Sequence, residues 1–303
     1  MKLNQLEIFC KIIELRSFSR AAEALHLSQP TLTEHIKTLE DHLGITLLDR
    51  LGREILPTKA GKVLHGYAQK ILNLKTEAEQ TLYSLKGELK GDLIVGASTI
   101  PGEYILPSLI KRFRDNFPDI WIKLTISDTK EVIDDIVNNR IEFGIVGAKV
   151  ESSKLEYHKF VKDELVLVVP SIPAWKRTKS VALEKLKQIS FIIREEGSGT
   201  RIVMEKTFKN FGFNASHLNV IATLGSTTAV VQAIKSGAGC SILSRRAVDE
   251  DLTRGLLKSI PIKGINFFRD FYLILRRGKI NSPLCEAFFN FLLDKAKVNP
   301  LPS

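Results

Sequence analysis

The sequence predicts a mixed fold in three parts: an all-α N-terminal region, one long helix and a two-lobed α/β region. Apolar residues recur with helical spacing between polar turns over residues 1–58, and a seven-residue apolar repeat runs through residues 59–88. Short apolar runs then alternate with amphipathic stretches over residues 91–303, which indicates strands joined by helices. A chain of 303 residues is long enough for two or three compact units, so we place the domains at these three ranges.

The composition is that of a globular protein without membrane segments. Hydrophobic residues make up 44% and charged residues 26% of the chain, and no apolar run approaches the roughly 20 residues that span a bilayer. The N-terminal stretch MKLNQLEIFCKIIELRSF is amphipathic and interrupted by charges, so it does not resemble a signal peptide, and we expect a cytoplasmic protein. Cys10, Cys240 and Cys285 are far apart in apolar surroundings, which favours reduced, buried thiols over a disulfide framework.

The net charge of +10 is unevenly distributed. Residues 1–90 carry 13 basic and 11 acidic side chains, a net of +2, and the rest of the chain carries the remaining +8. A basic balance often accompanies nucleic-acid binding, but here the excess lies outside the helical N-terminal region. A role in binding DNA must therefore rest on the local placement of residues.

Three short helices are predicted in the first region from their apolar faces. The residues of these faces are Leu6, Phe9, Ile12 and Ile13 in the first helix, Ala21, Ala22 and Leu25 in the second, and Leu32, Ile36 and Leu39 in the third. The small side chains of Ala21 and Ala22 allow two helices to cross closely. The pattern breaks at Gly44, and residues 50–56 are typical of a small turn flanked by short extended pieces.

The third helix has a polar face suited to the major groove of DNA. Ser28 is placed to cap the helix, and Pro30 fits its first turn, where no amide donor is needed. The polar face consists of Gln29, Thr31, Thr33, Glu34, His35 and Lys37. We expect Gln29 and Thr31 to contact base edges and Lys37 and Thr33 to contact phosphate. The alternative is a helical bundle whose polar face is only solvated.

The long predicted helix carries two apolar rows with a spacing of seven residues. These rows are Leu64, Ile71, Ala78 and Leu85, and Tyr67, Leu74 and Thr81, with Ala68 and Leu82 beside the second row. A repeat over about three heptads predicts pairing with another helix, most simply in a homodimer. The alternative is that the helix packs on the core of its own chain.

Two loops of the α/β region each join a strand to a helix and carry hydroxyl groups. They contain Ser98, Thr99, Ile100, Pro101 and Gly102 in the first loop, and Ser198, Gly199, Thr200 and Arg201 in the second. Backbone amides and the helix dipole favour anions at such a position, and ligands of open α/β sheets lie at the carboxyl ends of strands. We therefore expect a ligand at these loops, with Ser127, Thr129, Ser226 and Thr227 as further candidates.

A structural reading of the same residues remains open. Ser98, Ser198 and Thr200 are also suitable helix caps, worth about 1 kcal/mol each. Arg201 has two possible partners, since it can contact a ligand or pair with Glu195 or Glu196. Two such loops in equivalent positions of two lobes favour ligand contact.

The sequence contains no pattern typical of catalysis or metal binding. The six histidines are scattered without metal-ligand spacing, and neither a Gly-x-Ser-x-Gly elbow nor a nucleotide P-loop is present. We therefore predict that the protein is not an enzyme and holds neither a metal nor a cofactor.

The segment SFSRAAEALHLSQPTLTEHIKTLEDHLGITLLDR, followed by LPTKAGKVL, resembles the winged helix-turn-helix of LysR-type transcriptional regulators. The resemblance runs from Leu6 to about Leu64, and the length and order of parts agree over the whole chain. One departure is the turn at residues 26–28, which lacks the glycine common in helix-turn-helix proteins. The resemblance implies a helix-turn-helix at residues 18–37 and a wing at residues 50–56.

The same resemblance implies the partners and further site residues. Arg20 and Arg50 would contact DNA, and Arg53 would reach the minor groove or its phosphates. Residues 91–303 would fold like a periplasmic binding protein whose cleft closes on a small effector. Family membership also implies double-stranded DNA as a partner, assembly into homodimers or tetramers, and recruitment of RNA polymerase.

The segments GASTIPGEYILP and REEGSGTR resemble a subgroup of regulators linked to sulfur, cysteine or selenium metabolism. That subgroup implies a small anionic or polar effector. The rival to a regulator is a solute-binding receptor with the same two-lobed fold, which the helical N-terminal third and the absence of a signal-peptide pattern disfavour.

Overall fold

The structure, a computed structural model, describes residues 1–49, 54–86 and 88–298. The chain divides into two compact units, an N-terminal unit of residues 1–88 with 138–140 and a C-terminal unit of residues 89–137 with 141–303. None of the described helices is long and apolar enough to cross a bilayer.

The N-terminal unit contains three short helices, a small β-ribbon and a long helix. Their bounds are α1 Leu3–Leu15, α2 Phe18–Ala24, α3 Gln29–Leu43, β1 Leu48–Asp49, β2 Leu56–Pro57 and α4 Lys59–Leu85. Phe9 and Ile12 of α1 pack with Leu32 and Ile36 of α3 in a fully buried core. The two strands pair antiparallel, as the predicted extended pieces require. Residues 50–53, on which the predicted turn falls, lie outside the described residues.

Side-chain caps define where these helices begin. The Ser28 hydroxyl accepts a hydrogen bond from the Thr31 amide at 3.2 Å, which confirms the predicted cap of α3. His26, in the turn before α3, has φ +54°, so this residue supplies the left-handed conformation that glycine often provides there. Gly44 ends α3 with φ +67°, where the sequence pattern breaks.

The long helix α4 has an apolar side that its own unit does not cover. Leu64, of the first predicted row, packs against the N-terminal core. Tyr67, Leu74 and Leu82 leave more than 60% of their surface exposed. The second row is therefore open to a partner helix, together with Ala78 and Leu85 at the C-terminal end of the first row, which are also exposed.

The C-terminal unit contains nine strands and seven helices among the described residues. Their bounds are β3 Gly91–Ser98, α5 Leu106–Asn116, β4 Ile120–Ser127, α6 Thr129–Val137, β5 Phe143–Val146, β6 Leu155–Pro170, α7 Pro173–Lys176, β7 Ser190–Arg194, α8 Gly199–Asn210, β8 Asn219–Leu224, α9 Thr227–Lys235, β9 Ser241–Ser244, α10 Arg245–Thr253, β10 Leu257–Ser259, β11 Phe267–Arg276 and α11 Pro283–Val298. A π-helical turn at Pro101–Ile105 precedes α5, and short 3₁₀ turns occupy Leu183–Gln188 and Ala215–His217.

The strands form two lobes, as predicted. Lobe I contains β3, β4 and β5 with helices α5, α6 and α11, and lobe II contains β7 to β10 with α8, α9 and α10. The strand order of the large sheet is β10-β6-β11-β5-β3-β4, with β9 also paired to β6. Among the described strands, the expectation of parallel sheet holds for β5-β3-β4 and β7-β8, whereas β6 and β11 pair antiparallel with each other and with strands of both lobes.

Strands β6 and β11 run through both lobes. Residues 272–276 of β11 pair with the start of β6 and with β5 in lobe I, whereas residues 267–270 pair with the part of β6 nearer lobe II. The register of the two strands shifts between Asp270 and Tyr272. Helix α11 also packs in lobe I, where Phe288 and Leu292 are fully buried beside Leu273 of β11.

The three cysteines are free thiols. Cys240 and Cys285 are fully buried and Cys10 is partly buried. Burial raises the pKa of Cys240 to about 12 and, with a contribution from the nearby Glu14 carboxylate, that of Cys10 to about 11. These thiols match the reduced state expected from the sequence.

Candidate DNA-binding and effector sites

The outer face of α3 carries the residues predicted to contact DNA. Leu32, Ile36 and Leu39 are fully buried on the inner face. The opposite face presents Ser28, Gln29, Pro30, Glu34 and Lys37, which are exposed, and Thr31, Thr33 and His35, which are partly exposed. The helix is thus anchored by its apolar side while its polar side is open to a ligand as large as a DNA duplex.

Hydrogen bonds orient several of these side chains. The Ser19 hydroxyl of α2 donates to Gln29 Oε1 at 3.1 Å. The Ser28 and Thr31 hydroxyls are 2.7 Å apart, and the Thr33 hydroxyl donates to the Gln29 carbonyl at 3.0 Å. Gln29 therefore stands at the start of α3 with its amide nitrogen still available as a donor.

The structure describes one of the three arginines that the resemblance assigns to DNA contact. The exposed Arg20 donates through its guanidinium to the carbonyl of Leu15, at the end of the preceding helix. Arg50 and Arg53 lie outside the described residues, so their predicted roles at the wing stay predictions.

The two predicted hydroxyl loops face each other across the lobes. They line one small cavity of about 10 Å³, which we call the hydroxyl cavity; it is formed by Ser98, Thr99, Ile100, Asp128, Thr129, Arg194, Ser198, Gly199, Thr200 and Arg269. Ser98 and Thr129 come from lobe I, and Ser198 and Thr200 come from lobe II. The volume corresponds to about one water molecule, so the lobes are closed on each other here.

Two glycines allow this close approach. A Cβ on Gly199 would lie 2.8 Å from Thr129 Oγ1 and 3.2 Å from the carbonyl carbon of Gly147. Gly197 has φ +92°, and a Cβ there would lie 2.9 Å from Asp128 Oδ2. Lobe II therefore meets lobe I through positions that a larger side chain would keep apart.

The remaining candidates do not line the hydroxyl cavity. Ser226 caps α9 by accepting from the Ala229 amide at 3.1 Å, and Thr227 accepts from Arg194 at 2.5 Å. Arg201 pairs with Glu205 at 2.7 Å, so neither Glu195 nor Glu196 is its partner. Pro101 and Gly102 are buried in the π-helical turn, and Ser127 ends strand β4.

The alternative that these hydroxyl groups only cap helices does not explain Ser198 and Thr200 of lobe II. Ser198 stands at the start of α8, but its side chain makes no capping hydrogen bond. The Thr200 hydroxyl instead accepts from Arg269 Nη1 at 3.1 Å. Both hydroxyls therefore face the cavity and do not close the helix end.

Arg269 is a buried cation in this cavity that the sequence analysis missed. Its Nε donates to Asp163 Oδ2 at 2.8 Å, and the Ser244 hydroxyl donates to Asp163 Oδ1 at the same distance. Burial lowers the pKa of Arg269, while the Asp163 carboxylate opposes this shift. The sequence did contain a signal for the burial of this residue. Side chains alternate between the two faces of a strand, so Arg269 lies on the same face as the buried Phe267 and Phe271.

Two buried polar atoms at the cavity lack a hydrogen-bond partner among the described residues. They are Arg269 Nη2 and Thr129 Oγ1. An unsatisfied buried donor costs about 1–3 kcal/mol, and both atoms are able to donate. Arg194 adds a second buried cation, although Glu195 neutralises it through two hydrogen bonds. The cavity thus offers donors to an acceptor-rich group such as an anion.

Comparison with known proteins identifies the class of protein. Residues 3–62 match the family model described as a bacterial regulatory helix-turn-helix protein of the lysR family, and residues 86–297 match the LysR substrate binding domain. Together with the fold, these matches define a DNA-binding regulator with an effector-binding domain. The chain belongs to the LysR family of transcriptional regulators.

Three proteins illustrate the similarity. The RuBisCO operon transcriptional regulator of Allochromatium vinosum is 32% identical over 98% of this chain and 97% of that protein. The crystal structure of full-length CbnR complexed with its target DNA has a TM-score of 0.72 at 23% identity and covers 98% of this chain and all of that one, which shows the fold. The CcmR regulatory domain of Synechocystis PCC6803 in complex with 2-PG has a TM-score of 0.63 at 27% identity, covering 70% of this chain and all of that domain.

The names of the relatives bear on two expectations from the sequence, that the protein is not an enzyme and that it is linked to sulfur or selenium metabolism. They are named as transcriptional regulators, which are not enzymes. Regulators of RuBisCO operons stand among them, and the resemblance to sulfur- or selenium-linked regulators finds no support.

Proposed function

We propose that this protein binds specific duplex DNA through α3 as a homo-oligomer, and that a small anion held between lobes I and II alters this binding. The single observation that supports the DNA contact is the geometry of α3, whose inner face is fully buried while Gln29 stands exposed at its capped start. A homo-oligomer brings two such helices to successive major grooves. Recruitment of RNA polymerase by the bound protein is part of the same proposal.

An anionic effector is supported by the hydroxyl cavity. Arg269 Nη2 and Thr129 Oγ1 are donors without partners, and a ligand with several acceptor atoms would satisfy both. The cavity is too small for such a ligand in the closed arrangement, so its entry requires the lobes to separate. The effector therefore acts by its different affinity for the closed and the open arrangement.

The relatives point to the kind of molecule. The CcmR regulatory domain was solved with 2-PG, and several relatives are named as regulators of RuBisCO operons. We propose 2-PG as the first probe for this chain, in place of the sulfur compounds that the subgroup resemblance suggested. A solute-binding receptor is the weaker candidate, because it leaves the helix-turn-helix match over residues 3–62 without a role.

Selection from a random duplex library followed by footprinting tests the DNA part. We expect a short enriched motif repeated with two-fold symmetry and protection of both half-sites. A protein that stays monomeric and shows no preference for duplex at low salt would contradict the proposal.

Substitution of Thr129 by valine tests the effector part. This hydroxyl makes no hydrogen bond to any residue that the structure describes, so its removal should leave the fold intact or slightly more stable. We expect Thr129→Val to reduce the thermal shift that 2-PG or another small anion produces, while affinity for the selected DNA is unchanged. An undiminished shift in this variant would remove Thr129 from the site.

A further inference from the structure

A second and larger pocket adjoins Arg269. It has a volume of about 390 Å³ and lies where the end of β5, helix α8 and the strands β6 and β11 meet. We call it the lysine pocket, and its principal residues are Lys149, Lys162, Lys206, Phe268, Arg269 and Tyr272. Its size is within the range of small-molecule sites, in contrast to the hydroxyl cavity.

The three lysines of the lysine pocket have no carboxylate partner among the described residues, whereas Arg269 is paired with Asp163. Among the residues that the structure describes, no acidic side chain lies within ion-pair distance of Lys149, Lys162 or Lys206. The one acidic residue in the lining is Asp270, whose carboxylate pairs with Lys159 at 2.7 Å. Like charges brought together without counter-ions repel one another, so the cluster favours a bound anion.

Aromatic rings hold two of these ammonium groups in place. Lys149 Nζ lies 4.7 Å from the centre of the Tyr272 ring, and Lys162 Nζ lies 4.5 Å from that of Phe268. An ammonium group has three N–H donors, and those that do not point at the ring face are directed away from it, towards a ligand. The two lysines are thereby positioned before any ligand arrives.

Arg269 connects the lysine pocket with the hydroxyl cavity. Only 4% of its side chain is exposed, it lines both spaces, and its Nη2 has no partner. Gly147 lies beside it, and a Cβ there would approach Arg269 Nη1 to 2.9 Å. A ligand in the lysine pocket therefore has a buried cation at one end and three accessible cations around it.

We propose that the lysine pocket binds a small polyanion, a molecule of metabolite size with at least two phosphate or carboxylate groups. The lysines supply point charges to one group, and Arg269 supplies the N–H groups of its Nη2 to the other, since its Nε and Nη1 already donate to Asp163 and Thr200. This inference rests on the proposed function only for its regulatory effect, because binding to the pocket is measurable without DNA.

Calorimetric titration of the full chain with pyrophosphate, and with orthophosphate for comparison, tests the inference. We expect pyrophosphate to bind more tightly than orthophosphate. The triple variant Lys149→Gln, Lys162→Gln, Lys206→Gln should weaken pyrophosphate at least about tenfold, since hydrogen bonds to charged groups are among the stronger ones. Lys263→Gln changes an exposed lysine outside the pocket and is the matched control, with no loss expected.

Several outcomes would overturn the inference. An equal loss in Lys263→Gln would show a general charge effect, and no binding of pyrophosphate to the folded wild type would show that the pocket takes no polyanion. Binding that is lost in Thr129→Val but kept in the triple variant would place the anion in the hydroxyl cavity. That last result would leave the proposed function standing, whereas failure to select any DNA would remove the proposed function without affecting the titration.

Discussion

Arg269 on β11 lies directly opposite Asp163 on β6, and the two side chains form an ion pair that is almost completely buried. The residues are 106 positions apart in the chain, so the pair exists only when both long strands are assembled. The nearby Arg246, with Nε 3.6 Å from the same carboxylate, gives Asp163 a second cation. Through the hydrogen bond from Arg269 to Thr200, the pair also connects the strands that run through both lobes to the first turn of α8.

Replacing Arg269 alone should lower the free energy of unfolding more than replacing Arg269 and Asp163 together. Arg269→Met leaves the Asp163 carboxylate buried beside Arg246 alone, and we expect a loss of up to about 3–5 kcal/mol. The double variant Arg269→Met, Asp163→Asn should recover a large part of this loss, as followed by urea unfolding. Equal destabilisation by the single and the double variants would show that the ion pair itself stabilises the fold.

Gln29→Ala should reduce the discrimination between DNA sequences. A side-chain amide reads a base through paired hydrogen bonds worth about 1–3 kcal/mol, and the cap by Ser28 is unaffected by the change. Binding to the selected site should weaken while binding to random duplex stays the same. Lys37→Gln is the comparison, since a lost phosphate contact weakens both complexes alike. A uniform loss in Gln29→Ala would exclude Gln29 as a base reader.

Leu74→Glu should weaken self-association. Leu74 is 65% exposed on α4 in the middle of the uncovered apolar row, and a charge there opposes burial against a partner helix. Sedimentation analysis should show a shift towards monomer, with weaker DNA binding. Thr76→Glu, on another side of the same helix, is the control and should leave the oligomer intact. An unchanged oligomer in Leu74→Glu would contradict pairing through this row.

Gly199→Ala should separate the lobes. The new methyl group would lie 2.8 Å from Thr129 Oγ1, closer than a real contact allows, so lobe II must move away from lobe I. Hydrogen exchange should become faster at the two hydroxyl loops. Gly225→Ala introduces the same methyl group where nothing lies within 4 Å and should leave exchange unaltered. Identical exchange in the two variants would show that the closed contact is not held at Gly199.

The buried thiol of Cys240 should resist alkylation. Burial raises its pKa from an ordinary 9.0 to about 12, so the thiolate is scarce at pH 8. Because the folded state disfavours the thiolate, the stabilising contribution of the neutral thiol is complete below pH 9 and is lost as the pH rises towards 12. Mass spectrometry after iodoacetamide treatment at pH 8 should find Cys240 modified only when urea is present. Modification of Cys240 at the same rate with and without urea would show that this thiol is not buried in the folded protein.

The sequence predicted those parts of the sites that depend on neighbouring residues. The cap at Ser28, the buried face around Leu32 and the two hydroxyl loops each follow from a local pattern of a few residues. Arg269 was missed because its role depends on pairing with a strand more than 100 residues away, which periodicity does not reveal.

Neighbouring positions also show where a local pattern is ambiguous. Ser198 and Ser226 both precede a helix, yet only Ser226 acts as a cap. For Arg201 the sequence offered a ligand, Glu195 or Glu196, but its ion-pair partner is Glu205, one turn further along α8, where residues four apart lie on the same side of a helix.

The register shift between Asp270 and Tyr272 gives the long strands a natural bending point. Elsewhere the ladder between β6 and β11 is regular, and twisting it would strain a row of backbone hydrogen bonds. At the shift the row is already interrupted, so one lobe can turn against the other with little loss of pairing. Both residues line the lysine pocket, so a molecule bound there would contact the two long strands at the point where their register changes.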